Sequence, residues 1–232
     1  MPTDSNFIAE LLTQLQVDNP KKQLSILHQL ATLEEPGLQP LMDFLLARRQ
    51  QPAITYLDGT AYRLLWQSHA PQAKTFLQAH WPDGLVTPLS DKGLDYSELQ
   101  QSLLRQDFEA ADRLTLKKLC ELAGSGAVQR GWLYFTEVEN FPGQDLNTLD
   151  QLWQVYSEGR FGFSKQRQIW LSNNQNWEKL WEKIAWKKGN AWTRYPNEFI
   201  WDLSAPEGHL PLSNQLRGVR AMASLLTHPV WS

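Results

Sequence analysis

Apolar positions recur at helical spacing through the first eighty residues: Phe7, Ile8, Leu11, Leu12 and Leu15, then Leu24, Leu27 and Leu30, then Leu38, Leu41, Met42, Leu45 and Leu46. Each set fits one stripe of a short amphipathic helix. Turn signals separate the sets at residues 18–20 and 35–40, with a further break at Gln51 and Pro52, and two more helical segments follow over about 53–68 and 71–79. Short helices with short connections must bury their stripes on one another, which predicts a small helical bundle or an armadillo-like solenoid fragment. No sequence repeat is visible, and nothing in this stretch has the look of chemistry; it reads as a packing or protein-contact module. The pattern breaks over WPDGLVTP, residues 81–88, dividing the chain into an N-terminal bundle over 1–82 and a second domain over 87–232.

The second domain is predicted to be helical as well, making the whole chain all-α. Asp95 with Glu98 resembles a capping box ahead of Tyr96, Leu99 and Leu103. Asp107 and Thr115 are expected to cap two short helices ending at Gly124, and Asn147 to open another that runs through Trp153 and Tyr156 to Gly159. Ser164 and Asn174 are read as further caps, the second leading into Trp177, Leu180, Trp181 and Ile184. No period is sustained over 187–213, and a long loop of this kind inside a compact domain is usually functional. A final helix is predicted over about 215–227, burying Leu216, Val219, Ala223 and Leu226.

Composition narrows the function classes. Of 232 residues 42% are hydrophobic and 20% charged, an ordinary globular balance. No apolar run approaches the roughly 20 residues that span a bilayer. The first residues, MPTDSNFIAELL, carry no signal or transit-peptide pattern, so a cytoplasmic protein is expected. One cysteine, Cys120, excludes an internal disulfide. A net charge of −3 argues against general nucleic-acid binding. The charge is uneven: between Arg160 and Arg220 there are ten Lys or Arg against five Asp or Glu, a local excess that suits a small anion.

Eleven tryptophans are many for a chain this size, and nine lie between Trp132 and Trp231. Trp177 and Trp181, spaced i and i+4, are expected to pack structurally on one helix face. Trp192 and Tyr195 differ, because they flank Arg194 in the loop where no helical stripe explains them. Stiff aromatic walls of this kind suit a large planar ligand. On the last helix Asn214, Arg217 and Arg220 recur every third residue along one side, and paired guanidinium forks suit carboxylates. Catalytic motifs are weak by comparison. GSGAVQ, residues 124–129, lacks the third glycine of a dinucleotide fingerprint and follows helical sequence. The five histidines share no metal-ligand spacing. His209, in the loop, is the best candidate for a lone axial ligand, although a structural histidine is the ordinary outcome. Glu137 with Glu139, and Asp202 with Glu207, show no sign of an acid and base pair beyond their proximity. These observations suit a non-enzymatic binder of a flat tetrapyrrole; the competing classes are a helical protein-interaction scaffold and an aromatic-platform carbohydrate binder or hydrolase.

The segments KLCELAG from Lys118, WLYFTEVE from Trp132, FGFS from Phe161, GNAWTR from Gly189, WDLSAPEGHLP from Trp201 and NQLRGVR from Asn214 resemble the Genomes Uncoupled Four family of tetrapyrrole-binding regulators, over residues 85–231. The N-terminal bundle is similar to the helical accessory domain of its bacterial, cyanobacterial-type members. The resemblance implies a cupped-hand helical core that binds protoporphyrin IX and magnesium protoporphyrin IX. It further implies a non-catalytic, monomeric activator of magnesium chelatase in chlorophyll biosynthesis, acting through that enzyme's large porphyrin-binding subunit and touching photosynthetic membranes at most peripherally. It has no catalytic residues or metal ligands to transfer. Its ligand cleft corresponds here to Phe135, Trp192, Arg194, Tyr195, Asn214, Arg217 and Arg220. Plant members carry a phosphorylatable C-terminal tail that has no counterpart after HPVW in this sequence.

Overall fold

In the computed structural model, residues 4–212 and 219–231 are described. They form two compact units, residues 1–87 and 88–232. The first unit contains α1 (Asp4–Leu15), α2 (Pro20–Thr32), α3 (Glu35–Arg48), α4 (Tyr56–Gln67) and α5 (Pro71–His80). Pro begins α2 and α5, where its missing N–H costs nothing. Most of the expected stripe positions are buried, Leu11, Leu15, Leu27, Leu30, Leu38, Leu41, Met42 and Leu45 among them, but Phe7 and Leu12 of α1 are exposed. Helices α2 and α3 approach so closely at Gly37 that a Cβ there would stand 1.8 Å from the Leu30 carbonyl oxygen. Asp58 is buried but well paired, accepting from Arg48 Nε at 2.6 Å and from the Thr55 N–H at 2.7 Å, and so closes the capping box that starts α4.

The second unit contains α6 (Ser97–Leu104), α7 (Phe108–Ala123), α8 (Ser125–Arg130), α9 (Phe135–Val138), α10 (Gly143–Tyr156), α11 (Phe163–Ser172), α12 (Trp177–Lys183) and α13 (Val219–Leu226). Between α12 and α13 lies a minimal hairpin, β1 (Lys187–Lys188) with β2 (Ala191–Trp192), antiparallel with Lys187 opposite Trp192. Gly189 makes its turn at φ +59, a conformation that a side chain resists. The core centres on Trp153, which stacks on Phe108 at 6.0 Å and meets the edge of Phe161 at 6.3 Å. Its indole N–H donates to Thr115 Oγ1 at 2.9 Å.

Several expected helix starts fall elsewhere. Thr115 lies inside the single long α7, its hydroxyl donating to the Ala111 carbonyl; Asp107 alone caps that helix. Asp95 accepts from the Ser97 N–H in a local turn, and no box forms with Glu98. Helix α10 starts at Gly143, four residues before Asn147, with Asp145 turned inward to accept from the Tyr96 hydroxyl at 2.7 Å and the Asp91 N–H at 3.0 Å. The Ser164 N–H at the start of α11 is satisfied by Asp150 of α10 at 2.8 Å. Asn176, not Asn174, caps α12. On α13 the buried residues are Ala221, Met222, Leu225 and Leu226, while Val219 is exposed; Leu216 lies outside the described residues.

Candidate functional site

The aromatic loop is built on an indole ladder. Trp170 and Trp177 lie 4.9 Å apart, Trp177 and Trp181 5.3 Å, and Trp181 and Trp186 5.5 Å with nearly parallel rings. Trp186 is fully buried and donates its N–H to the His209 carbonyl at 2.7 Å. From this base the hairpin lifts Trp192 against Trp181, centroids 5.9 Å apart, leaving 42% of the residue exposed. Lys187 Nζ sits 5.5 Å above the Trp192 ring and pairs with Glu178. Arg194 projects outward with its side chain 86% exposed, its Nε only loosely paired to Glu198 at 4.0 Å. The Tyr195 ring stands edge-on to Phe199 and Trp201, at 5.6 and 5.8 Å. The peptide bond from Tyr195 to Pro196 is cis.

A second group lies on α9 and α13. Phe135 opens α9 and is half-buried. Arg220 on α13 carries its guanidinium over that ring, 5.5 Å from the centroid. Helix α9 has only four residues and is braced by its neighbours. Arg130 grips Glu137 with both carboxylate oxygens, at 2.7 and 2.8 Å, and lies 4.4 Å over the Tyr134 ring; Glu137 also accepts from the Tyr134 N–H. Burial pushes the Glu137 carboxyl up, but the Tyr134 N–H and Arg130 outweigh it and hold it below the ordinary value. Arg167 of α11 donates to the Leu226 carbonyl at 3.0 Å and fixes the far end of α13.

Helix α7 is the spine common to both groups. Leu116 and Leu119 face Val138, Ala221 and Leu225 across a gap of only about 10 Å³. That space is too small for a large planar ligand. One turn earlier, Asp112 accepts from the Leu212 N–H at 2.6 Å, with the Tyr195 hydroxyl close enough to favour its charged form. Burial pushes the Asp112 carboxyl up to about 7, partly offset by the Leu212 and Tyr195 bonds. Burial likewise raises Tyr195, to about 12, with the negative Asp112 adding to the shift.

Among the residues singled out in the sequence, Phe135 and Arg220 are in contact, and Trp192, Arg194 and Tyr195 share the aromatic loop. Helix α7 lies beside both groups, with Leu116 and Leu119 facing the second and Asp112 near the Tyr195 hydroxyl. Asn214 and Arg217 lie outside the described residues. His209 is engaged at both ring nitrogens: Nδ1 donates to the Ile184 carbonyl at 2.6 Å, and Nε2 accepts from the Ile200 N–H at 3.1 Å. It is a structural histidine, and burial lowers its pKa. Asp112 was not among the expected site residues. The available signal was a carboxylate on the buried stripe of α7, in register with Phe108, Thr115 and Leu119.

The family model described as GUN4-like matches residues 89–229, and the model described as ARM-like repeat domain, GUN4-N terminal, matches residues 2–82. A Ycf53-like protein of Synechocystis sp. is 50% identical over 228 residues, 98% of each chain. A chloroplastic protein of Arabidopsis thaliana called tetrapyrrole-binding is 36% identical over 146 residues, 59% of this chain and 55% of that one. Among solved structures, GUN4 from Chlamydomonas reinhardtii superposes with a TM-score of 0.59 at 38% identity, covering 63% of this chain and 97% of that one. The ligand-free structure of Arabidopsis thaliana GUN4 gives 0.55 at 36% identity, covering 62% and 99%.

Proposed function

We propose, from the premise that this chain belongs to the GUN4-like family, that it binds protoporphyrin IX and magnesium protoporphyrin IX without catalysis, and stimulates magnesium chelatase in chlorophyll biosynthesis by presenting porphyrin to that enzyme's large subunit. The Arabidopsis relative's name as a tetrapyrrole-binding protein supports the ligand class. The observation that carries the reading is the pairing of flat rings with cations in the second unit: Phe135 under Arg220, and Trp192 beside Lys187 with Arg194 two residues on. A porphyrin offers an apolar disc with two carboxylates on one edge, and this surface offers rings for the disc and guanidinium groups for the carboxylates.

The magnitudes suit a carrier. Covering on the order of 400 Å² of macrocycle contributes about 10 kcal/mol gross at roughly 25 cal/mol per Å². Association and ordering cost on the order of 5 kcal/mol, which leaves micromolar, releasable binding. We assign Phe135, Trp192 and Tyr195 to the disc, and Arg194 and Arg220, with Asn214 and Arg217 from the adjoining segment, to its polar edge. The protein acts in the cytoplasm as a monomer in this reading.

Titration of the full chain with each porphyrin, followed by tryptophan emission and by the porphyrin's main absorption band, tests the binding. Saturable quenching with a red shift is expected; neither signal up to ligand solubility refutes it. Chelatase turnover with and without the chain tests the second part, where an unchanged rate removes the activator role and leaves the binding untouched.

A further inference from the structure

We propose that Asp112 is the positioning residue of the porphyrin site, its single buried carboxylate holding the Tyr195 end of the aromatic loop and the chain at Leu212 in the arrangement that the ligand meets. The inference rests on the porphyrin-binding reading and deepens it. Asp112 is 2% exposed in the middle of α7. It reaches two segments far along the chain. One is the loop that carries Trp192 and Arg194, whose Tyr195 hydroxyl lies close to the carboxylate. The other is the irregular chain at Leu212, whose N–H lies 2.6 Å from Oδ1 across 100 positions of sequence. Burying a carboxylate is costly, and two weakly polar donors recover only part of that cost. A purely structural position of this kind is served as well by Asn, whereas a carboxylate adds sensitivity to protons.

The surrounding charges leave that sensitivity to Asp112. Arg113 and Glu109, its neighbours on α7, pair with each other at 2.7 Å. Glu98 of α6 and Arg105, which follows it, are exposed, Arg105 bonded to Gln101. Arg130 of α8 is held by Glu137. On α10, Asp145 accepts from Tyr96 and Asp150 from Ser164. In the loop and the segment before Leu212, Arg194 leans on Glu198, and His209 has both nitrogens engaged. The charged carboxylate attracts the Leu212 N–H and the Tyr195 hydroxyl at once. Protonated, it carries a hydroxyl of its own, and the Tyr195 hydroxyl must turn to accept from it. Because burial raises Asp112 to about 7, this exchange falls near neutrality.

The test compares wild type with Asp112→Asn, which keeps the shape and the oxygen facing Leu212 but cannot ionise. Protoporphyrin IX affinity is measured from pH 8.5 to pH 6 by tryptophan quenching in the full chain. At the alkaline end the variant should bind roughly three- to tenfold more weakly, and the two affinities should converge as the wild type protonates. Parallel profiles overturn the inference while leaving porphyrin binding intact; no binding by wild type overturns the underlying reading as well. Should the variant not fold, the Leu212 amide resonance of wild type decides. Its chemical shift should titrate with a midpoint near 7 and move on adding protoporphyrin IX. A shift that stays fixed under either condition overturns the proposal.

Discussion

Arg220 lays its guanidinium over the ring of Phe135, 5.5 Å from the centroid, joining α13 to α9 on the face where the ligand is proposed to lie. An exposed contact of this kind adds about 0.5–1 kcal/mol to stability, so either residue is replaceable without unfolding. Binding is another matter, since a porphyrin draws on both the ring and the charge. Arg220→Ala is expected to weaken protoporphyrin IX affinity by roughly three- to tenfold, and Phe135→Ala by more, read by quenching titration. Arg220→Lys should restore only part of the loss, because an ammonium lacks the planar fork. Unchanged affinity in both alanine variants removes this pair from the site.

The brace under Phe135 gives a separate expectation. A four-residue helix cannot hold itself, and α9 depends on the Arg130 grip on Glu137 and on the Glu137 bond to the Tyr134 N–H. Glu137→Gln keeps the acceptor for Tyr134 but loses the charge that Arg130 holds. It should cost about 1–2 kcal/mol in urea denaturation and weaken porphyrin binding without touching any ligand atom. A stable variant with wild-type affinity shows that α9 is fixed by its apolar contacts alone.

His209 makes an expectation about metal porphyrins. With Nδ1 on the Ile184 carbonyl and Nε2 on the Ile200 N–H, the ring has no lone pair to offer an axial position. Iron protoporphyrin added to the chain should therefore show the same absorption spectrum with wild type and with a His209→Gln variant that remains folded. A histidine-ligated spectrum lost in the variant shows that the ring swings out. The same burial sets a pH trend. His209 has its pKa lowered in the folded chain, so the unfolded chain binds the extra proton first, and stability should fall as pH drops below the ordinary imidazole value of about 6.5.

Much of this fold was legible because its stripes are local. The sets ending at Leu30 and Leu46 became α2 and α3, although the turn expected over 35–40 is the first part of α3 and Pro40 lies inside it; Trp177 and Trp181 stack on one face as i and i+4 neighbours do. Helix starts were misplaced where the cap is non-local: Ser164 is satisfied by Asp150 of another helix, and Thr115 serves Trp153 in the core instead of opening a helix. The loop aromatics could be singled out because no periodicity accounted for them. That Trp192 leans on Trp181, and that Tyr195 is tied to α7, depends on tertiary contacts that no window of sequence contains.

In the first unit, Gly37 is the position least able to change. A Cβ there would fall 1.8 Å from the Leu30 carbonyl oxygen, backbone against backbone, so no side-chain rearrangement relieves it. Gly37→Ala should force α2 and α3 apart and cost more than about 3 kcal/mol, seen as a lowered melting transition. A melting curve superimposable on wild type means that the helices separate at little cost and that their contact at Leu30 contributes little.

Asp112 gives the expectation in which stability and function part. Its folded pKa, about 7, lies above the ordinary carboxyl value near 3.9, so between these limits the folded chain holds the proton that the unfolded chain has lost. Stability then falls as pH rises through this window, the reverse of an ordinary paired carboxylate. Asp112→Asn removes the charge while keeping an acceptor for the Leu212 N–H, and should make the chain more stable than wild type at pH 8 by about 1–3 kcal/mol, with little difference at pH 4, measured by urea denaturation at the two values. If the more stable variant is also the weaker porphyrin binder, the carboxylate is retained at a cost to the fold, as expected of a group kept for what it positions. A variant less stable at pH 8 shows instead that the two hydrogen bonds are worth more than the burial they offset.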